Sequence, residues 1–250
     1  MQQHWKKIVI GLVGLVVVVL GASLIYAKVI NKADEEFDSS DVKERLTTTV
    51  APDPTESTPG SDPATTEPGA TVAPSVDGVN GDWVISTGSE VGYRVDESIN
   101  GFDTTANGRT QAVTGTFTID GTVVSAGDFT VDMTTFKSDE SRRDGQFNGR
   151  IMDVATFPTA TFVLTQPIDF QQVPTDGTTI TASATGDLTL RGTTNSVTFE
   201  VEATFDNGRV GVFGTIPVIF ADYGIPNPSV ATIATEDNGL LEFVLIFDRA

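Results

Sequence analysis

Residues 197–209 read Val-Thr-Phe-Glu-Val-Glu-Ala-Thr-Phe-Asp-Asn-Gly-Arg. Val197, Phe199, Val201, Ala203 and Phe205 alternate with Thr198, Glu200, Glu202, Thr204 and Asp206. A period of two places every apolar side chain on one face of an extended chain, whereas a helix would need a period near 3.6. Asp206-Asn207-Gly208-Arg209 follows, and Asn-Gly is the dipeptide that best tolerates the left-handed φ values of a two-residue hairpin turn. The stretch therefore predicts an antiparallel strand with one wet face and a partner strand directly after it.

Working outward, the same alternation recurs. Ile180, Ala182, Ala184, Gly186, Leu188 and Leu190 alternate with polar residues, and shorter matches occur at Gly115-Phe117-Ile119 and Phe129-Val131-Met133. Asp120-Gly121, Asp176-Gly177, Gly192-Thr193 and Asn238-Gly239 supply further turn signals. Residues 240–247 are apolar almost throughout, which predicts a strand covered on both sides or a barrel seam. Only residues 139–151 could form a useful helix, and Gly145 and Gly149 keep it short. The segment 82–250 is thus all-β, either a sandwich or an up-and-down antiparallel barrel. Small inward residues (Gly115, Ala182, Ala184, Gly186, Ala203) leave room among the phenylalanines, which favours a barrel; eight strands enclose about one ligand. Small residues lying against a loop would give the same pattern.

The chain has 250 residues, 15 Lys+Arg against 34 Asp+Glu, a net charge of −19, no Cys and one His, at position 4. Disulfides, zinc ribbons and a cysteine nucleophile are excluded, and a Ser-His-Asp triad has no His outside the N-terminus. Residues 82–250 carry nine bases against twenty-three acids, so a nucleic-acid partner is excluded by charge. No phosphate-binding, dinucleotide-binding or EF-hand pattern occurs, and no cofactor is expected.

Residues 8–27 (IVIGLVGLVVVVLGASLIYA) contain no charge. Twenty residues at ~1.5 Å each span roughly 30 Å, the hydrocarbon thickness of a bilayer. Trp5 and Tyr26 flank the run and Lys6 and Lys7 precede it. The run is too long for a signal-peptide core and ends in a poor cleavage site, so it reads as an uncleaved single-pass helix. Residues 1–7 are then cytoplasmic and the remainder extracytoplasmic. Residues 28–81 read as a disordered acidic stalk. Within it, 34–46 offers only Phe37, Val42 and Leu46, too few for a buried helix, and 47–82 is interrupted by six prolines. Stretched at ~3.1 Å per residue, that second part could hold the domain up to roughly 100 Å from the membrane.

Three blocks carry a resemblance to a known family. Arg143-Asp144-Gly145-Gln146-Phe147 is followed by Phe157-Pro158-Thr159-Ala160-Thr161-Phe162, and later by Gly186-Asp187-Leu188-Thr189-Leu190-Arg191-Gly192-Thr193-Thr194. With Trp83, the 89–95 stretch, Gly115-Thr116-Phe117 and the strand 129–133, these resemble the YceI-like family of lipocalin-like barrels, over nearly the whole of 82–250. Gln146 and Arg191 stand where that family usually has His. The resemblance implies a barrel that binds a polyisoprenoid or similar amphipathic lipid, such as a quinone or polyprenyl carrier, without catalysis. Phe117, Phe129, Val131, Met133, Phe162, Leu188, Leu190, Phe199 and Val201 are the expected tunnel lining, unless they simply pack against one another. Arg142, Arg143 and Arg150 are candidates for a phosphate head group, although Asp139, Glu140, Asp144 and Asp153 would pair them as an ordinary surface. Asp222-Tyr223-Gly224-Ile225 reads as a structural turn. The alternative function is a cell-surface interaction or stress-protection module with a filled barrel, and a homodimer is compatible with either.

Overall fold

The computed structural model of the chain describes residues 33–47, 78–174 and 176–250. Each long apolar–polar alternation becomes a strand. The opening stretch lies in β9 (Thr193–Asp206), which folds back through Asn207 and Gly208 onto β10 (Arg209–Ile219). Their φ angles, 53° and 75°, form the left-handed pair whose twist matches the flanking strands. Arg191-Gly192 joins β8 (Thr179–Leu190) to β9 in the same way, one residue earlier than the expected Gly192-Thr193. Asn100-Gly101 closes a third hairpin, between β2 (Glu90–Ile99) and β3 (Phe102–Thr110). Alternation does not mark this hairpin, because most of β3 is polar. Asn238-Gly239, expected as a turn, instead opens β12 (Asn238–Arg249), paired with Ile219 and Val218 of β10.

Eight strands close a ring in sequence order: β1 (Gly81–Ile85), β4 (Val113–Asp120), β5 (Val123–Asp132), β6 (Thr159–Gln166), β8, β9, β10 and β12, which returns to β1. Every pairing is antiparallel. Closure leaves no free edge in the ring. The expected barrel is therefore present, with an excursion. β2 follows β1 along the same side of β12 and carries β3 and the short β11 (Ile233–Thr235), while β7 (Ile168–Asp169) pairs with β5. The one helix expected in the domain is α2 (Ser141–Gln146), continued by a π-helical turn, Phe147–Ile151. The apolar run 8–27 lies outside the described residues, and among those described no helix is long and apolar enough to cross a membrane.

The largest departure from the sequence reading falls within 28–81, expected as disordered throughout. Of its described residues, 33–47 lie on the barrel's outer wall, where Ser39–Thr47 forms helix α1, and 78–81 run into β1 with Val79 buried. Three apolar residues suffice because the wall supplies the rest. Phe37, Val42 and Leu46 are buried against Val244 and Ile246 of β12, with Phe213 of β10 beside them. The start of α1 is closed locally: the Asp38 carboxylate accepts the Ser40 N–H at 2.7 Å, and Asp41 accepts the Asp38 N–H at 2.8 Å. Asp38 thus caps the second helical N–H while Asp41 reaches back to the cap as in a capping box, and Phe37 with Val42 forms the accompanying apolar staple. At Gly211 on β10, any added Cβ would run into Val42, so the close approach of α1 requires glycine there.

This docking explains the apolar run 240–247. Leu241, Phe243, Leu245 and Phe247 point into the barrel, while Val244 and Ile246 point outward beneath 33–47. Glu242 shares their outward parity and has no exposed surface. Arg109 bonds it at 3.1 Å and Arg94 at 3.4 Å, and the Phe37 N–H donates to it at 3.2 Å. Arg109 also stacks over the Phe37 ring, 3.8 Å from its centroid. A carboxylate removed from water is tolerable only when its charge is met in this way. Glu242→Ala leaves two inward-turned guanidinium groups without their anion and is expected to destabilise the domain by about 3 kcal/mol. Exposed Glu200→Ala should cost less than about 0.5 kcal/mol. Urea unfolding of both variants checks this.

Candidate functional site: an apolar cavity inside the barrel

Inward residues of seven of the eight ring strands, all but β1, converge on a cavity of about 240 Å³. All nine side chains named as tunnel lining reach it: Phe117 from β4, Phe129 and Val131 from β5, Met133 just after β5, Phe162 from β6, Leu188 and Leu190 from β8, and Phe199 and Val201 from β9. The sequence reading did not name the contribution of β10 and β12, including Val212, Ile216, Leu241 and Phe243. The signal was available in the 240–247 run, once its alternate residues are assigned to opposite faces. Among the described residues no charged side chain lines the cavity.

Aromatic rings frame the space rather than fill it. Phe243, Phe199 and Phe162 meet edge to face, with centroids 6.0 and 5.5 Å apart; Phe162 stacks on Phe129 at 6.5 Å, and Phe129 meets Phe247 at 5.9 Å. Phe117 continues the chain at 4.5 Å from Phe247, and Trp83 lies 6.3 Å beyond it, with its indole N–H bonded to the Val79 carbonyl at 2.9 Å. Such pairs contribute roughly 0.5–1.5 kcal/mol each beyond their burial and hold one another in place. The small residues behave differently from expectation at three positions, of which Ala182 packs against the core without lining the cavity. Phe129 lies across Gly115 and Phe162 across Gly186, so these glycines admit rings and leave no void. Open space lies instead beside Ala160, Ala184 and Ala203, which line the cavity.

The two ends are unlike. At one end Phe136, Phe147 and Met152, all buried, close the space. Phe147 comes from the π-helical turn after α2 and stacks on Tyr93 at 4.7 Å and 8°. The Arg143–Phe147 block of the sequence thus supplies a plug. At the other end the lining includes Thr122 of the β4–β5 turn and Gln172 of the β7–β8 connection, which is exposed.

Arg142, Arg143 and Arg150 are at the plugged end, and none of the three lines the cavity. Arg143 pairs with Asp139 and with Glu97 of β2, Arg150 donates to the carbonyls of Asn227 and Pro228, and Arg142 is exposed. Arg143 is thus paired with one of the neighbouring acids, Asp139, while Arg150 is held by backbone carbonyls. Arg191 occupies the β8–β9 turn and donates to the Gly224 carbonyl at 2.6 Å. It ties that turn to the 220–225 segment, in which Tyr223 and Ile225 are buried and Gly224 has a φ of 61°. Asp222-Tyr223-Gly224-Ile225 is accordingly a structural corner. Among the described residues no group of three or more His, Asp or Glu is placed to hold a metal ion.

Burial pushes the Tyr93 phenol above the ordinary tyrosine value of 10.0, most strongly of any described group, and burial raises Tyr223 as well. A raised phenol pKa means that folding favours the neutral form. The contribution is intact below pH 10.0 and is lost as the pH rises through the folded-state value. Ultraviolet titration should find Tyr93 un-ionised above pH 10.0, and Tyr93→Phe should remove that late-titrating signal; ionisation at the ordinary value would contradict the burial.

The comparisons with known proteins agree with this geometry. The YceI-like domain family matches residues 83–247. A polyisoprenoid binding domain from Saccharophagus degradans, implicated in plant cell wall breakdown, superposes with a TM-score of 0.56 at 16% identity, over 68% of this chain and 99% of that one. Burkholderia cenocepacia BcnA gives 0.52 at 21% identity, over 65% of this chain and 98% of that one. At these identities the two structures bear on the fold alone. No curated protein matches the chain. With the family's match running from the first ring strand to the last, the chain belongs to the YceI-like family.

Proposed function

We propose that this protein binds an isoprenoid or similar amphipathic lipid, tail inside the barrel, as a carrier or store that performs no reaction on it. The observation that carries the reading is the cavity of about 240 Å³ without a charged side chain on its wall. A dry apolar cavity of ~150 Å³ is known to take up benzene, so by proportion this one holds roughly ten carbons, or about two isoprene units. Each buried methylene contributes about 0.8 kcal/mol, so such a tail is worth several kcal/mol before its ordering cost. A longer tail must leave through the end marked by Gln172 or displace rings of the aromatic frame. The polyisoprenoid binding of the Saccharophagus degradans domain supports the same chemistry here.

The location belongs to the same proposal. The uncharged run 8–27 anchors the chain in a membrane with residues 1–7 cytoplasmic and the barrel outside, which puts the cavity beside a source of such lipids. A quinone or a polyprenyl carrier fits the tail chemistry.

Native mass spectrometry of the gently extracted full-length chain should show an added lipid mass. Leu188→Asp with Val201→Asp should abolish it by placing charge against the tail, and Ala160→Leu with Ala184→Leu should abolish it by filling space without charge. Circular dichroism establishes that each variant is folded. A native chain without added mass, or variants that keep it, would favour the interaction module over the carrier.

A further inference from the structure

The docked segment 33–47 has a place in the chain that alters how the barrel is held. It sits between the apolar run 8–27 and the stretch 48–77, so the order is apolar run, wall piece, long connection, barrel. We propose that residues 34–47 clamp the barrel to the end of the membrane anchor, so that 48–77 is a bypass loop and sets no distance between barrel and membrane. This rests on the reading of 8–27 as an anchor.

Four sets of contacts make the clamp. At its N-terminal end Arg94 donates to the Asp34 carbonyl at 2.8 Å, and Asn107 and Asp34 exchange bonds at 3.1 and 3.3 Å. In the middle Arg109 bridges the Glu35 carbonyl and buried Glu242, beneath Phe37. Val42 and Leu46 cover Gly211, Val244 and Ile246. At the C-terminal end Arg45 donates to the Gly88 carbonyl and pairs with Glu90, both at 2.8 Å. The contacts reach β2, β3, β10 and β12, so the segment is part of the barrel's wall.

The chain lengths then decide the reach. Six residues, 28–33, separate the apolar run from the first clamped residue, and at ~3.3–3.6 Å each they span at most ~20 Å. Without the clamp the tether would be 28–77, fifty residues with a root-mean-square extent of ~40 Å and a far longer contour. The thirty-residue connection 48–77 keeps the clamp tethered to its own barrel, which favours docking within one molecule over docking on a neighbour.

The test uses the full chain in phosphatidylcholine–phosphatidylglycerol vesicles. The protein has no native Cys, so Ala126→Cys on exposed β5, across the ring from the clamp, takes a single donor dye, and a labelled lipid is the acceptor. Duplicating residues 52–69 lengthens the connection. With the native clamp, energy transfer should be unchanged by the duplication. With Val42→Asp and Leu46→Asp it should fall by about half or more, and fall further when 52–69 is duplicated. A drop on duplication with the native clamp would overturn the proposal and make 48–77 the spacer. Failure of the chain to associate with vesicles would overturn it through the anchor, a result distinct from the first because transfer would be absent from every variant.

Discussion

Burial of strand β12 on both faces is the constraint on which the rest of the structure depends. Its inward residues, Leu241, Phe243, Leu245 and Phe247, form one side of the cavity, and its outward residues, Val244 and Ile246, would lie in water without a cover. The cover is residues 33–47, more than thirty positions before the barrel begins. The only charge on the strand's central stretch, Glu242, is met by Arg94 and Arg109. One strand thus joins the cavity, the outer ion cluster and the docked segment.

The cavity survives because rings brace rings. A barrel of eight strands is narrow enough for side chains to fill it. Here the large residues sit at the wall in edge-to-face contact, Phe162 and Phe129 lie across glycines, and alanines face the centre. The result is an apolar space with, among the described residues, no charged side chain on its wall. Charge is kept to the outside, where an acidic surface maintains solubility.

Much of this was legible in the sequence. Alternation in 180–190 and 197–206 marks β8 and β9, the Asn207-Gly208 turn joins β9 to β10, and the nine residues named as lining all reach the cavity. Parity is local, and one face of a half-buried strand is apolar wherever the strand lies. Other features were not legible for reasons of the same kind. Strand β3 carries too little apolar pattern to announce itself, although Asn100-Gly101 holds the turn that leads into it. The basic residues near α2 admit two readings in the sequence, an anion site or a paired surface, and only the structure gives Arg143 to Asp139 and Glu97 and Arg150 to two carbonyls.

The clearest division lies between the strands and helix α1. The sequence alone determined that 82–250 is an antiparallel β-domain with a greasy inner face, because periodicity and turn chemistry act between near neighbours. It also determined the net charge of −19 and the uncharged run 8–27, long enough to span a bilayer. Only the tertiary structure decided that the barrel keeps a void, because whether facing side chains touch depends on ring closure and on rotamers across it. It alone also decided that Phe37, Val42 and Leu46 belong to the barrel: three apolar residues cannot bury one another, but they can complete a surface that distant strands have already built.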